Sequence, residues 1–363
     1  MVFIFICSVA YSQTADKKAS IETKRLQQKL KKLLNQGIMF GHQDALAYGV
    51  GWKYEEGKND VKEVTGQLPA VFGWDVAGLE KENSVNIDSV PFDKMREYIK
   101  QVYNKGLINT ISWHLDNPYT GKTAWDETAG SVASILPDGT KNQLYNQYLD
   151  KLASFLLSLK GSDNKAVPVL FRPFHELTGN WFWWGKKHCT PEKFKQLWQY
   201  TFNYLSNKGV HNLIYMYNTA DFADKAEFLE RYPGDQYVDI ISFDTYDYNG
   251  PDVNDTFVKD LDRRLTILES IAKEHNKIPA LAETGFEAIP YSEWWTKSLW
   301  RGIGSHKISY VLAWRNAGYQ PATGKQHFYV PYPGQISEKD FIKFFNLDKT
   351  LFEKEISKEK IYK

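Results

Sequence analysis

Cysteine is nearly absent from this 363-residue chain, with only Cys7 and Cys189. If the apolar leader carrying Cys7 is removed, no intramolecular disulfide remains, so cysteine usage does not report the redox compartment. Excess charge of one sign is missing too. The formal net charge is +1, which excludes the electrostatic footprint of a nucleic-acid or anionic-membrane binder. No Gly-rich phosphate loop follows the first strand-like run, which counts against a doubly wound nucleotide-binding sheet. Linkers, internal repeats and low-complexity tracts are also lacking, so the chain reads as one domain with a sizeable core.

The apolar run at residues 1–12 is too short to span a bilayer. It resembles the core of a secretory signal, with Ala10 and Ser12 flanking Tyr11 at a cleavage site and Gln13 as first mature residue. No Lys or Arg precedes it, so the start is expected to be truncated. Cys7 lacks the small-residue context of a lipoprotein signal. The expectation is a secreted or periplasmic bacterial protein, unlipidated, monomeric, with its catalytic domain at residues 13–363.

What the chain has in quantity is aromatic residues, 15% of the total, many near strand ends. That placement suits a stacking ligand better than a merely large core. Strand-like runs at 38–43, 70–75, 107–114, 167–175, 212–218, 238–246, 279–283 and 309–314 alternate with helical patterns. Helices are expected from about residue 14 to 32 and at 93–104, 142–159, 191–207, 254–273, 292–300 and, last, 337–345. Eight such strands predict an α/β fold, a (β/α)8 TIM barrel. Loops at 49–60, 116–141 and 319–335 would then share one rim.

In a barrel the chemistry sits at the C-terminal strand ends. The ends here read Gly41-His42-Gln43-Asp44, Gly73-Trp74-Asp75, Ser112-Trp113-His114, His175-Glu176, Asp244-Thr245-Tyr246, Ala282-Glu283-Thr284-Gly285 and Ala313-Trp314-Arg315-Asn316. Glu176 and Glu283, on the fourth and seventh strands, form the paired carboxylates that glycoside hydrolysis uses. A carboxyl held partly dry is kept protonated for general-acid work. The aromatics that follow Glu176, Trp181 to Trp184, offer flat apolar faces to a sugar ring. Tyr246 would hold Glu283 ionised, and Arg172, on the same face as Glu176 by strand alternation, would support the carboxylates from below.

Structural readings stand beside these. His42, Asp75 and Asp244 also read as hydrogen-bonded struts, Trp183 and Trp184 as packing, and Cys189 as a structural thiol. A metal at His114 is discounted because no second histidine stands at metal spacing.

The runs Arg172-Pro173-Phe174-His175-Glu176 and Gly179-Asn180-Trp181-Phe182-Trp183-Trp184-Gly185 resemble the signature of glycoside hydrolase family 26. The likeness continues through Gly41-His42-Gln43-Asp44, Trp113-His114, Asp244-Thr245-Tyr246, Ala282-Glu283-Thr284-Gly285 and Trp314-Arg315. It implies a retaining hydrolase without cofactor or metal, with Glu176 as acid/base and Glu283 as nucleophile. His114, His175, Trp181, Asp244, Tyr246, Trp314 and Arg315 match positions that line the family's sugar site; contacts from His42, Trp74 and Asp75 are also expected, on weaker grounds. The activity implied is an endo-β-1,4-mannanase acting on mannan, glucomannan or galactomannan. A β-1,3-xylanase, a mixed-linkage β-glucanase and a catalytically silent glycan-binding barrel are the alternatives, and endo against exo action stays open.

Overall fold

The computed structural model describes residues 14–253 and 255–363. The signal expectation, Cys7 and Asn254 lie outside the described residues. Eight parallel strands close a barrel: β1 Ile38–Gln43, β2 Val71–Asp75, β3 Ile108–Trp113, β4 Val169–Pro173, β5 Leu213–Thr219, β6 Ile240–Asp244, β7 Ile278–Thr284 and β8 Tyr310–Ala313. Closure is direct, with Met39 opposite Tyr310 and His42 opposite Ala313. An open sheet is therefore ruled out.

Period-two alternation divides each strand between two buried layers. On β1, Phe40 points outward and packs against Trp295, Phe341, Phe344 and Phe352 of the surrounding layer. Inside, Tyr310 Oη reaches Met216 Sδ at 3.5 Å. Above this apolar floor the interior turns polar, with Arg172, Asp244 and Glu283 buried there, and that polar layer is the candidate site.

Helices Ile21–Leu33, Phe92–Asn104, Asn142–Ser158, Pro191–Asn207, Thr256–His275 and Glu338–Phe345 fall near their expected places. Their ends carry local reasons: Ser20 Oγ and Thr190 Oγ1 cap two of them, the second with Pro191 in the first turn. The segment expected as a helix at 292–300 is helical, opening as a π-helix over Trp295–Leu299 and continuing as a short α-helix, Trp300–Ile303. Helix Glu338–Phe345 is not the last. A short strand, Thr350–Leu351, pairs beside β1, and helix Glu353–Glu359 follows. Phe352 between them stacks on Phe40, with ring centroids 5.2 Å apart. Among the described residues no helix is long and apolar enough to cross a membrane.

The rim expected from three loops forms. Asp60 accepts from Trp52 Nε1 at 2.6 Å and from Asn316 Nδ2 at 2.7 Å. Asn316 Oδ1 in turn accepts the amides of Tyr329 and Val330. Loops after β1 and β8 are thus tied together. From the loop after β3, Trp125 stacks on His114 at 5.2 Å.

Candidate active site

β4 ends at Pro173, before the acid. Phe174 and Glu176 both adopt left-handed backbone, with φ of 51° and 53°, a conformation that non-glycine residues take at a cost. Simple alternation therefore does not carry to Glu176, as the sequence reading supposed. Its position is fixed by Asn218 at the end of β5, whose Oδ1 accepts the Glu176 amide at 2.8 Å. Asn218 Nδ2 also donates to Asp244 Oδ1 at 2.9 Å and to Ser242 Oγ at 3.0 Å. One amide side chain couples the acid's backbone to the charged layer. The sequence reading left Asn218 out, although it occupies the same strand-end position as the others.

Oxygens of Glu176, Asp244 and Glu283 lie within 4.8 Å of one another. Such a carboxylate cluster has the spacing to hold a metal ion, but a protein cation already sits among two of its members. Buried Arg172 donates from Nη1 to Asp244 at 2.6 Å and from Nη2 to Glu283 Oε1. Tyr246 Oη donates to Glu283 Oε2 at 2.8 Å. Glu283 is thus a buried carboxylate with two strong donors. Gly285 lets the chain leave β7 here: its φ is 156°, and a Cβ would stand 2.3 Å from the Tyr329 ring.

Glu176 is built differently. Among the described residues its one side-chain donor is Trp181 Nε1, at 2.6 Å from Oε2. Burial, reinforced by the neighbouring charge of Glu283, pushes its pKa up to about 7. Trp181 is 41% exposed, so part of it is open to a ligand. Trp181, Tyr246, Tyr248 and Asp221 line a cavity of about 360 Å³ next to the acid.

His114 and His175 meet at Nε2, 3.1 Å apart, so a second histidine does stand beside His114, contrary to the spacing argument. The sequence could not show a contact made between two strands. His114 Nδ1 is bonded to Asp75 Oδ2 at 2.8 Å. Burial disfavours a charge on His114, but the carboxylates around it, Asp75 first and then Glu283 and Asp88, together raise its pKa. Burial, then the charge of His114, holds His175 well below the usual histidine range.

Other expected contacts separate. Asp244 is buried against Arg172 and Asn218, and Asp75 against Ser112, Ala77 and His114. Trp74 faces the helices, stacked on Tyr98, with its N–H on Asn109; a sugar contact from it is corrected, because its position on β2 points outward. His42 is buried beside Asn316, and burial holds its pKa down to about 3. Trp183 and Trp184 are fully buried, their N–H groups on the Leu115 and His175 carbonyls. Cys189 is half-buried, with Sγ near the Trp184 carbonyl. Trp314 is half-buried just past β8, its amide on the Thr284 carbonyl. Arg315 lies at a second cavity, about 570 Å³, with Tyr48, Trp52, Asp88 and Tyr319.

The model of glycosyl hydrolase family 26 matches residues 15–331. The chain belongs to that family. A family 26 β-mannanase from Bacteroides ovatus superposes with a TM-score of 0.89 at 42% identity, over 95% of this chain and 98% of that one. The catalytic domain of an endo-β-1,4-mannanase from Bacillus sp. JAMB-750 gives 0.87 at 31% identity, over 96% of each. A mannan endo-1,4-β-mannosidase of Bifidobacterium adolescentis is 32% identical over 93% of this chain, and one from Bacillus subtilis strain 168 is 34% identical over 53%. This family 26 chain spans 35% and 55% of the length of those two relatives.

Proposed function

We propose that the chain is a retaining endo-β-1,4-mannanase that cleaves mannan, glucomannan or galactomannan by double displacement. The observation that carries this reading is the pair Glu176 and Glu283, less than 4.8 Å apart, one raised to about 7 and the other held by Arg172 and Tyr246. Carboxyl groups of retaining enzymes stand about 5–5.5 Å apart, too close to admit an attacking water between them and the sugar. Glu283 attacks the anomeric carbon as Glu176 delivers its proton to the departing oxygen. Glu176, now ionised, takes a proton from water, which attacks the same carbon and frees Glu283. Two inversions leave the β configuration intact.

Mannan is chosen over other β-glycans because the similar structures and curated relatives quoted above are mannanases by name. Trp181 stacks on the sugar beside the acid, and Arg315, with Trp314, binds at the other end of the cleft. His114, His175, Asp244 and Tyr246 complete the site around the reactive sugar. Release of reducing ends from locust-bean gum, compared with mixed-linkage glucan and β-1,3-xylan, tests the reading. Rapid release from the galactomannan alone is expected. Preference for another polymer would replace the substrate, and tight binding without release would make the barrel a glycan receptor. Secretion follows from residues 1–12 if they act as a signal; N-terminal sequencing of exported protein should begin at Gln13.

A further inference from the structure

The cavity beside Glu176 holds a residue that the reaction described above does not use. Tyr248, on the loop after β6, is 81% exposed and lines that cavity together with Trp181 and Asp221. A single exposed tyrosine is ordinary on a protein surface. This one stands on a turn that is pinned in several places. The buried Asp247 carboxylate accepts the amides of Asn249 at 3.2 Å and Gly250 at 2.7 Å through Oδ1, and Trp294 Nε1 at 3.0 Å through Oδ2. The Asp247 amide donates to the Gly285 carbonyl at 2.9 Å, two residues past Glu283. Gly250 takes left-handed backbone, φ 71°, within the turn. A fixed backbone thus carries a side chain that contributes little to the core. Its ring lies 6.2 Å from that of Tyr246, the donor to Glu283.

Trp181 is the other open aromatic on this cavity, bonded through Nε1 to the acid. Asp221 adds an exposed carboxylate, with Arg264 Nη1 3.1 Å away. Thr178 Oγ1 donates to the Asp221 carbonyl at 3.1 Å and ties the loop after β4 to the loop after β5. At about 360 Å³ the space falls within the usual range for a small-molecule site, about 300–1,000 Å³. Glu176 lines it, so the group that leaves with the proton of Glu176 occupies this space. The second step reverses the direction of that proton, and a sugar hydroxyl bound here can stand where water otherwise attacks.

We propose that Tyr248, with Trp181 and Asp221, makes this cavity an acceptor site through which glycosyl units pass to a second sugar as well as to water. The acceptor hydroxyl gives its proton to Glu176 as its oxygen bonds to the anomeric carbon. The bond from that carbon to Glu283 breaks, and its electron pair returns to the carboxylate. The product is a longer β-linked oligosaccharide, and Glu176 is left protonated for the next cycle. Tyr248 and Trp181 offer ring surface to the acceptor sugar, and Asp221 accepts from its hydroxyls. Tyr248 is thus a specificity-determining residue: it biases the choice between sugar and water without touching the reacting atoms. This rests on the retaining mannanase reading of Glu176 and Glu283.

The test uses β-mannobiosyl fluoride as donor, because fluoride is too small to fill the cavity, with mannotriose added as acceptor. The ratio of mannopentaose, from transfer, to mannobiose, from hydrolysis, is measured at early times. That ratio does not depend on how much enzyme is folded, so a purely structural loss leaves it unchanged. In the parent it should rise with mannotriose concentration. Tyr248→Ala should lower it about tenfold, whereas Tyr248→Phe keeps the ring and should stay within about twofold of the parent. Mannobiose alone from the parent at every mannotriose concentration overturns the proposal. Equal ratios for the Ala and Phe variants, high or low, overturn the role of the ring and the proposal with it. A parent that releases no fluoride overturns the mannanase reading first, and this inference with it.

Discussion

Glu176 and Glu283 are the same side chain within 4.8 Å of each other, yet β4 and β7 deliver them into opposite surroundings. Glu283 receives a guanidinium and a phenol; Glu176 receives one indole N–H and the repulsion of its neighbour. Donors to an ionised carboxylate favour the charge, whereas dryness and a like charge favour the proton. The division of labour proposed for the two groups therefore lies in their partners. Moving or removing a partner should blur the roles in proportion to its strength.

Arg172 should have the largest effect. Arg172→Met leaves Glu283 and Asp244 buried side by side without their cation, a loss of about 3–5 kcal/mol. Urea unfolding should show that fall, together with near-complete loss of turnover. An unchanged unfolding midpoint would mean that the two carboxylates do not depend on the guanidinium. Tyr246→Phe removes one charge-assisted hydrogen bond, about 1.5–3 kcal/mol. The drop in kcat/KM should be about 10- to 150-fold with little change in thermal midpoint; near-wild-type kinetics would take Tyr246 out of the site.

Glu176 should show its strain in stability. A carboxyl whose folded pKa is about 7 against an ordinary 4.5 keeps a proton that the unfolded chain has released. Stability attributable to it is full below pH 4.5 and falls as pH rises toward 7. Glu176→Gln should remove that slope and gain on the order of 2 kcal/mol at pH 7 and above, while losing hydrolysis of mannan. A parallel slope in the variant would contradict the assigned pKa. The smallest effect belongs to Trp181. Trp181→Phe keeps a ring but drops the N–H that favours ionised Glu176, so the basic limb of kcat/KM should move upward by about 1 unit or less. A downward shift would reverse the sign of that bond's contribution.

The barrel and both carboxylates were legible because strand periodicity and polar strand ends are local signals. What escaped depended on contacts between distant segments. Asn218 offered a strand-end signal like the others, but only the closed barrel reveals that it holds Glu176 and Asp244 at once. The meeting of His114 with His175 and the ion pair of Asp88 with Arg315 join different strands and loops. Trp74 was misplaced because alternation says that neighbours face opposite ways, not which of them faces in. The C-terminal helix was passed over because its segment is mostly charged, with Ile356 its one buried residue.

Reaction of alanine variants with a dinitrophenyl manno-oligoside tests the division of roles most directly. That leaving group is a weak base and departs without a proton, so the first step needs the nucleophile but not the acid. Glu283→Ala should be inactive on both mannan and the aryl glycoside. Glu176→Ala should lose mannan cleavage yet release a burst of dinitrophenolate followed by slow turnover. Azide should speed that slow phase and yield the β-mannosyl azide, since the anion attacks without a general base. An α-azide from the Glu176 variant, or a burst from the Glu283 variant, would contradict the account.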